Sequence, residues 1–226
     1  MENNNIKLVG KITADIEFNH ETYGEKFYDT KVQVKRLSGD VDEINLIISD
    51  RLIIGKNLEV GTIVEINGQL RSYNYYTEKE NRRRLLLNIF VRDIRTVSDS
   101  ELREDEELET TNEVELIGHI CKKPIYRKTP FGREISDILV AVNRPYGKSD
   151  YLPCIAWGRN ARFSENLEVG QIIRIVGRMQ SRQYNKELQD GTSEERVAYE
   201  VSIGTLELPQ EDVEEIIEEL ATQSEE

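Results

Sequence analysis

Along this chain apolar and polar residues alternate with a period of two, the spacing that sends successive side chains to opposite faces of a strand. In the C-terminal half the runs VELIGHI, EISDILVAVNR, DYLPCIAW, QIIRIVGRMQSRQY and RVAYEVSIGTLEL are rich in β-branched and aromatic residues. Gly132, the Pro145-Tyr146-Gly147 turn, Gly170 and the Asp190-Gly191 pair punctuate them. One short helix is expected, over residues 160–166, between the third and fourth strands. Residues 51–58 are its counterpart in the N-terminal half. Five strands with a single helix between the third and fourth is the element order of the OB-fold, a small, partly open barrel. Five strands in another small barrel give a similar string.

The halves are copies of one another. Residues 6–36 fall on 114–144 with eight identities, among them Gly10/Gly118, Gly24/Gly132, Asp29/Asp137 and Arg36/Arg144. Residues 57–75 fall on 166–184 with ten, including all of NLEVG, Gly68/Gly177, Ser72/Ser181 and Tyr75/Tyr184. A period near 108 is too long for a solenoid unit and fits a duplicated domain. The fold class expected is therefore all-β with one short helix per domain: two tandem five-stranded OB-fold barrels. The boundaries read as domain 1 over 1–97, an acidic linker over 98–113, domain 2 over 114–208 and an acidic tail over 209–226.

Charge changes this picture once it is mapped. The 226 residues carry 30 Lys/Arg against 43 Asp/Glu, a net of −13, which taken whole argues against a polyanionic partner. The four segments, however, carry net charges of 0, −7, +2 and −8 in chain order. The excess sits in the linker and tail, and the near-neutral bodies are compatible with a phosphate-binding face. Two cysteines, Cys121 and Cys154, make neither a disulfide framework nor a zinc spacing. MENNNIKL lacks the build of a signal peptide, and no apolar run approaches a membrane span. A soluble cytoplasmic protein is expected.

Strand alternation then sorts copy two by face. Ile173, Ile175, Gly177 and Met179 point one way; Arg174, Arg178, Arg182 and Tyr184 point the other. Leu152, Cys154 and Ala156 make an inner face, which puts Tyr151 and Trp157 outside. Guanidinium groups neutralise phosphates and ring faces stack with unpaired bases, so this surface suits single-stranded nucleic acid. An isolated strand arginine is ordinarily a solvated surface residue and a lone tryptophan ordinarily core; it is their combination on one face that points to binding.

These residues resemble the bacterial single-stranded DNA-binding proteins of the OB-fold type. VELIGHICKKPIYRKTPFG, ILVAVNR, DYLPCIAWGRNA and LEVGQIIRIVGRMQSRQY follow that family's pattern in order and spacing. The resemblance implies DNA-stacking roles for Tyr146, Tyr151, Trp157 and Tyr184, and phosphate contacts for Arg127, Arg144, Arg178 and Arg182, with Lys122 and Lys123 nearby. In copy one the four aromatic positions align with Ser38, Asp42, Ile48 and Tyr75. What remains there is Tyr73, Tyr75 and Tyr76 beside a loop with Arg82, Arg83 and Arg84, between the fourth and fifth strands. Two barrels per chain imply a homodimer with four. The family's aromatic C-terminal tip is absent; the tail instead carries Val213, Ile216, Ile217 and Leu220 at helical spacing, a stripe that docks a replication or repair protein or packs on its own domain.

The expectation is a non-catalytic, largely sequence-independent binder of single-stranded DNA, nucleoid-associated, acting in replication, recombination and repair. The acidic segments are expected to compete with DNA for the basic faces. No cofactor, metal or membrane partner is implied: His20 and His119 lack acid–base or ligand companions at fixed spacing. The rival is a protein-binding OB module, an adaptor of a replisome or mobile element. RNA binding would use the same surface.

Overall fold

The computed structural model describes residues 3–77, 82–105, 107–187 and 192–209. The first half contains β1 (Asn4–Ile12), β2 (Glu17–Thr22), β3 (Glu25–Lys35), β4 (Val41–Ser49), α1 (Asp50–Ile53), β5 (Ile63–Thr77) and β6 (Arg82–Thr96). Then come α2 (Asp99–Glu104) and a 3-10 turn over Leu108–Thr110. The second half repeats the series as β7 (Asn112–Ile120), β8 (Ile125–Lys128), β9 (Glu134–Arg144), β10 (Lys148–Trp157), α3 (Gly158–Ser164), β11 (Ile172–Glu187) and β12 (Ser193–Glu207).

Each half closes on itself. β3, β4, β6, β5 and β1 are neighbours in that order, β4–β6 being parallel, and β1 returns to pair with β3 through Ile12↔Val32. β9, β10, β12, β11 and β7 do the same, closed by Ile120↔Val140. These are two OB-folds in tandem. The structure adds one strand per half to the five expected, β2 and β8, each an arm paired only with the strand after it. The four residues of β8 are too few for a visible alternation. The expected helices shift toward the N-terminus, to Gly158–Ser164 and to a single turn at Asp50–Ile53.

Two of the repeat's glycines are explained by close approach. A Cβ on Gly118 would lie 2.5 Å from the Ala141 carbonyl oxygen, and one on Gly68 2.5 Å from that of Phe90. Gly68 and Gly177 sit at equivalent β-bulges, Asn67/Gly68 and Val176/Gly177, where the long strands β5 and β11 bend around their barrels. The inward faces are mainly apolar: Leu8, Val32, Ile44, Ile48, Leu70 and Ile89 fill the first barrel, and Leu116, Val140, Leu152, Ala156, Ile173 and Met179 the second, all fully buried. Each such side chain contributes on the order of 1.5–3 kcal/mol.

The barrels are joined by their first strands. β1 and β7 pair antiparallel, Ile6 facing Val114, so a single twelve-stranded sheet runs through both halves. Around this seam the contacts are reciprocal. Asn4 clamps the backbone of Leu70, donating to its carbonyl at 2.8 Å and accepting its amide at 2.9 Å. Asn112 does the same to Met179, at 2.8 and 3.0 Å.

Two buried carboxylates complete the seam. Asp42 on β4 receives the guanidinium of Arg36 at 2.6 Å and the amide of Ser181, from the other half, at 2.6 Å. Asp150 on β10 receives Arg144 from its own half, with Arg71 at 3.1 Å and the Ser72 amide at 2.6 Å from the other. The Tyr199 hydroxyl bonds Asn45 across the same seam. The paired clamps of Ser72 on Asp150 and Ser181 on Asp42 follow the isologous pattern a two-fold dimer makes, here within one chain, while Arg71, whose counterpart Gln180 bonds Glu200, and the Tyr199–Asn45 bond depart from it.

Residues 98–113 carry structure. Ser98 and Glu101 form a capping box on α2. Two of this segment's acids engage the first barrel, Glu101 on Arg95 at 2.7 Å and Glu109 on Lys35 at 3.0 Å. The tail residues Val213, Ile216, Ile217 and Leu220 lie outside the described residues.

Candidate nucleic-acid interface

The candidate surface is the outer face of the second barrel, and strand register assembles it. Directly opposed residues of paired strands share a face. Arg127 on β8 opposes Ile135 on β9, which opposes Trp157 on β10, making one row. Ile155 on β10 opposes Ser202 on β12, which opposes Arg178 on β11. Farther along the same face come Gln180 opposite Glu200, Arg182 opposite Ala198, and Tyr184 opposite Arg196. Tyr151, two alternations before Ile155 on β10, points the same way.

The aromatic groups have the accessibility a stacking surface needs. Tyr151 is 45% exposed, Trp157 38% and Tyr184 37%. Trp157 is held in place: its indole N–H donates to the Ser202 hydroxyl at 3.1 Å, which fixes the ring while leaving it open to solvent. The Arg182 guanidinium lies 5.6 Å from the centre of the Tyr184 ring, a cation–π contact covering one of its faces.

The basic groups divide into those with their charge already matched and those with it partly unmet. Arg178 belongs to the second kind. It is only partly exposed, Asp42 is 3.9 Å away, and the guanidinium of Arg36 is close by. Burial, and then the charge of Arg36, pull its pKa below the usual arginine value, so a further anion would be favoured there. Arg182 lies 3.6 Å from Glu200 at the edge of the face. Arg127 pairs with Asp137 at 2.7 Å in a largely solvated geometry that is weak and exchangeable.

Other residues singled out from sequence are engaged elsewhere. Arg144 is spent on the buried Asp150 at the seam. Arg174 lies between Glu115 and Glu207, at 2.7 and 3.4 Å. Lys123 donates to the carbonyls of Glu165 and Leu167 at 2.8 and 3.1 Å, tying down the segment after α3. Lys122 is exposed. The side chains of Tyr146, Tyr75, Tyr76, Arg82, Arg83 and Arg84 lie outside the described residues.

In the first barrel the structure corrects two alignments. Phe27 opposes Ser49 as Ile135 opposes Trp157, and Val34 opposes Asp42 as Val142 opposes Asp150. The counterparts of Tyr151 and Trp157 are therefore Glu43 and Ser49, one position beyond the expected Asp42 and Ile48. Ile48 is fully buried and matches Ala156; Asp42 matches Asp150. The slip arises because the shift is 108 up to this strand and 109 after the helix, and sequence alone does not mark where it changes. Ser49 caps α1 and donates to Glu25 at 2.5 Å, and Glu43 pairs with Lys31 at 2.6 Å. Neither supplies a ring.

Sequence reasoning missed the seam residues Asp42, Asp150, Asn4 and Asn112. A signal was present: both pairs are identical under the 108-residue shift, just outside the window 6–36.

Cys154 is buried, and burial pushes its thiol well above the usual range; Cys121 is raised for the same reason to a lesser extent. Among the described residues no helix is long and apolar enough to cross a membrane.

Comparison with known proteins places this geometry in context. Residues 111–209 match the single-strand binding protein family. A single-stranded DNA-binding protein of Oceanobacillus iheyensis is 34% identical over 87 residues, which cover 35% of this chain and 53% of that protein. Single-stranded DNA-binding protein A of Bacillus subtilis is 32% identical over 83 residues, 34% of this chain and 48% of that one. The chain spans about half the length of the curated relatives it matches. Among solved structures, the wild-type single-stranded DNA binding protein from Thermus aquaticus superimposes with a TM-score of 0.70 at 21% identity, covering 92% of this chain and 93% of its own. That likeness extends the shared fold over both barrels.

Proposed function

Because residues 111–209 match the single-strand binding protein family, we propose that the chain binds single-stranded DNA through the outer face of its second barrel. The mechanism is non-catalytic. Bases stack on Trp157, Tyr151 and Tyr184 while Arg178, Arg182 and Arg127 meet phosphates, and a ring face accepts any base, so little sequence preference is needed. The carrying observation is that Ser202, opposite Arg178 on the next strand, holds the exposed indole of Trp157 by a hydrogen bond, so ring and guanidinium share one face. Tyr146 and Tyr75 extend the proposed stacking set, and Lys122, Arg82, Arg83 and Arg84 the basic one. Coating of exposed strands in replication, recombination and repair, in the cytoplasm at the nucleoid, follows from this reading, as does pairing of two chains to bring four barrels together.

The test uses Trp157, the chain's single tryptophan. Its fluorescence is titrated with oligo-dT at low salt and salt is then added back. Strong quenching that reverses with salt is the expected result, because phosphate contacts release counterions. The chain mass in solution tests the homodimer.

A second reading is favoured by one observation. The first barrel has an open cleft of about 630 Å³ lined by Asp15, Glu17, Asp29 and Lys31 with Asn45 and Asn88. The charged part of that lining is three carboxylates against one lysine, which suits a basic protein segment better than a nucleic acid. Absence of quenching would turn the assignment toward this protein-binding role.

A further inference from the structure

We infer that the first barrel serves the second as a positioning element: Ser72, backed by Arg71, holds the strand that presents Tyr151. The inference rests on the DNA-binding reading above and adds residues that neither the alternation of the strand nor the family pattern identifies.

The reason lies in how β10 is paired. One edge of β10 is covered by β9 along its whole length, from Lys148 to Trp157. The other edge meets β12 only at Cys154 and Ile155. The amide of Tyr151 points to that second edge, beyond the reach of β12, and a backbone donor there requires a partner. Ser72 of the first barrel supplies it. Its hydroxyl accepts the Tyr151 amide at 2.8 Å, while its own amide donates to the Asp150 carboxylate at 2.6 Å. Arg71 approaches the same carboxylate at 3.1 Å and lies 5.9 Å from the Phe90 ring, which anchors it to its own barrel. The strand carrying Tyr151 is thus clamped at two consecutive residues by two consecutive residues of the other half.

The reciprocal clamp supplies an internal control. Ser181 gives its amide to Asp42, and its hydroxyl accepts the Glu43 amide at 3.2 Å. The two clamps share the amide-to-carboxylate and hydroxyl-to-amide bonds and the same place in the fold, and the Ser181 hydroxyl also donates to Asp42 at 3.2 Å. They differ in what they hold: one presents an exposed tyrosine, the other a glutamate paired with Lys31. A purely structural role predicts that each serine affects affinity only in proportion to its effect on stability. A positioning role predicts an effect of Ser72 on affinity beyond that proportion.

The experiment measures oligo-dT affinity by Trp157 quenching, and stability by urea unfolding, for full-length chains carrying Ser72→Ala, Ser72→Thr, Ser181→Ala, Tyr151→Ala, and Ser72→Ala with Tyr151→Ala. Ser72→Ala is expected to weaken binding about threefold to tenfold, the size of one lost hydrogen bond, with Ser72→Thr restoring it. Ser181→Ala is expected to lower stability at least as much while changing affinity less than about twofold, and Ser72→Ala is expected to add nothing once Tyr151 is alanine. Equal effects of the two serines on affinity, or full additivity of Ser72→Ala with Tyr151→Ala, would overturn the inference. Quenching of the wild type with no effect of Ser72→Ala would overturn it while leaving the DNA-binding reading in place. Absence of quenching in the wild type would remove both.

Discussion

The backbone amide of Ser181 donates to the buried carboxylate of Asp42 at 2.6 Å, across 139 positions of sequence. Ser72 makes the same bond to Asp150 in the opposite direction, at the same distance. Each barrel therefore keeps one fully buried acid whose charge is met partly by its own arginine and partly by the other barrel.

Removing either acid leaves a guanidinium facing an emptied, largely dry site. Asp42→Ala strands Arg36 and Asp150→Ala strands Arg144 with Arg71. Loss of one partner of a buried pair typically costs about 3–5 kcal/mol. Urea unfolding should show a loss of that order for each variant.

Stacking and phosphate contact should separate experimentally. Trp157→Ala and Tyr184→Ala are each expected to weaken oligo-dT binding by about 1–3 kcal/mol at any salt. Arg178→Ala should instead lower the slope of log K against log salt by about one. Ile48→Ala, which empties a core position in the first barrel, should leave binding intact and cost about 2–5 kcal/mol of stability. Anisotropy titrations of dye-labelled oligo-dT at several salt concentrations, paired with unfolding curves, check all four.

The thiols should report on burial. Burial holds the Cys154 thiol protonated, and with only 3% of its surface exposed it offers a reagent almost nothing to attack. A colorimetric thiol reagent at pH 8 is expected to leave Cys154 unmodified in the native protein, to label the half-buried Cys121 slowly, and to find both at once in denaturant.

One acid-sensitive contact sits on α2. The Ser98 amide, then Arg95 and the Ser98 hydroxyl, hold the Glu101 carboxyl at about 2, down from 4.5. A depressed carboxylate stabilises the fold fully above its unfolded value and loses that contribution as pH falls through the folded one. Wild type should therefore exceed Glu101→Gln in unfolding midpoint above about pH 4.5, and the difference should shrink steadily toward pH 2.

Much of this was legible in the sequence because it depends on period. The alternation through QIIRIVGRMQSRQY placed Arg178, Arg182 and Tyr184 opposite Ile173, Ile175 and Met179, and the structure keeps those faces. The repeat announced two barrels. What alternation does not convey is the partner a polar side chain finds. Arg144 reads as a surface cation on an outer strand end, yet it turns onto Asp150 because the second barrel's edge is closed there by the first. Arg174 meets two acids from neighbouring strands, brought together by a register that no local window contains. The first barrel's alignment slipped by one residue at β4 for a related reason: the extra residue that separates the two shifts carries no hydrophobic signature.

The pairing of β1 with β7 also has an evolutionary consequence. In a dimer of identical chains, a substitution in one barrel appears in both, so neither can lose a feature the other needs. Tethering the two along one polypeptide removes that constraint and makes their association independent of dilution. Glu43 and Ser49 could then replace rings on one side while Tyr151 and Trp157 stayed on the other, and subunit exchange could never reassemble two ring-free barrels into a useless pair.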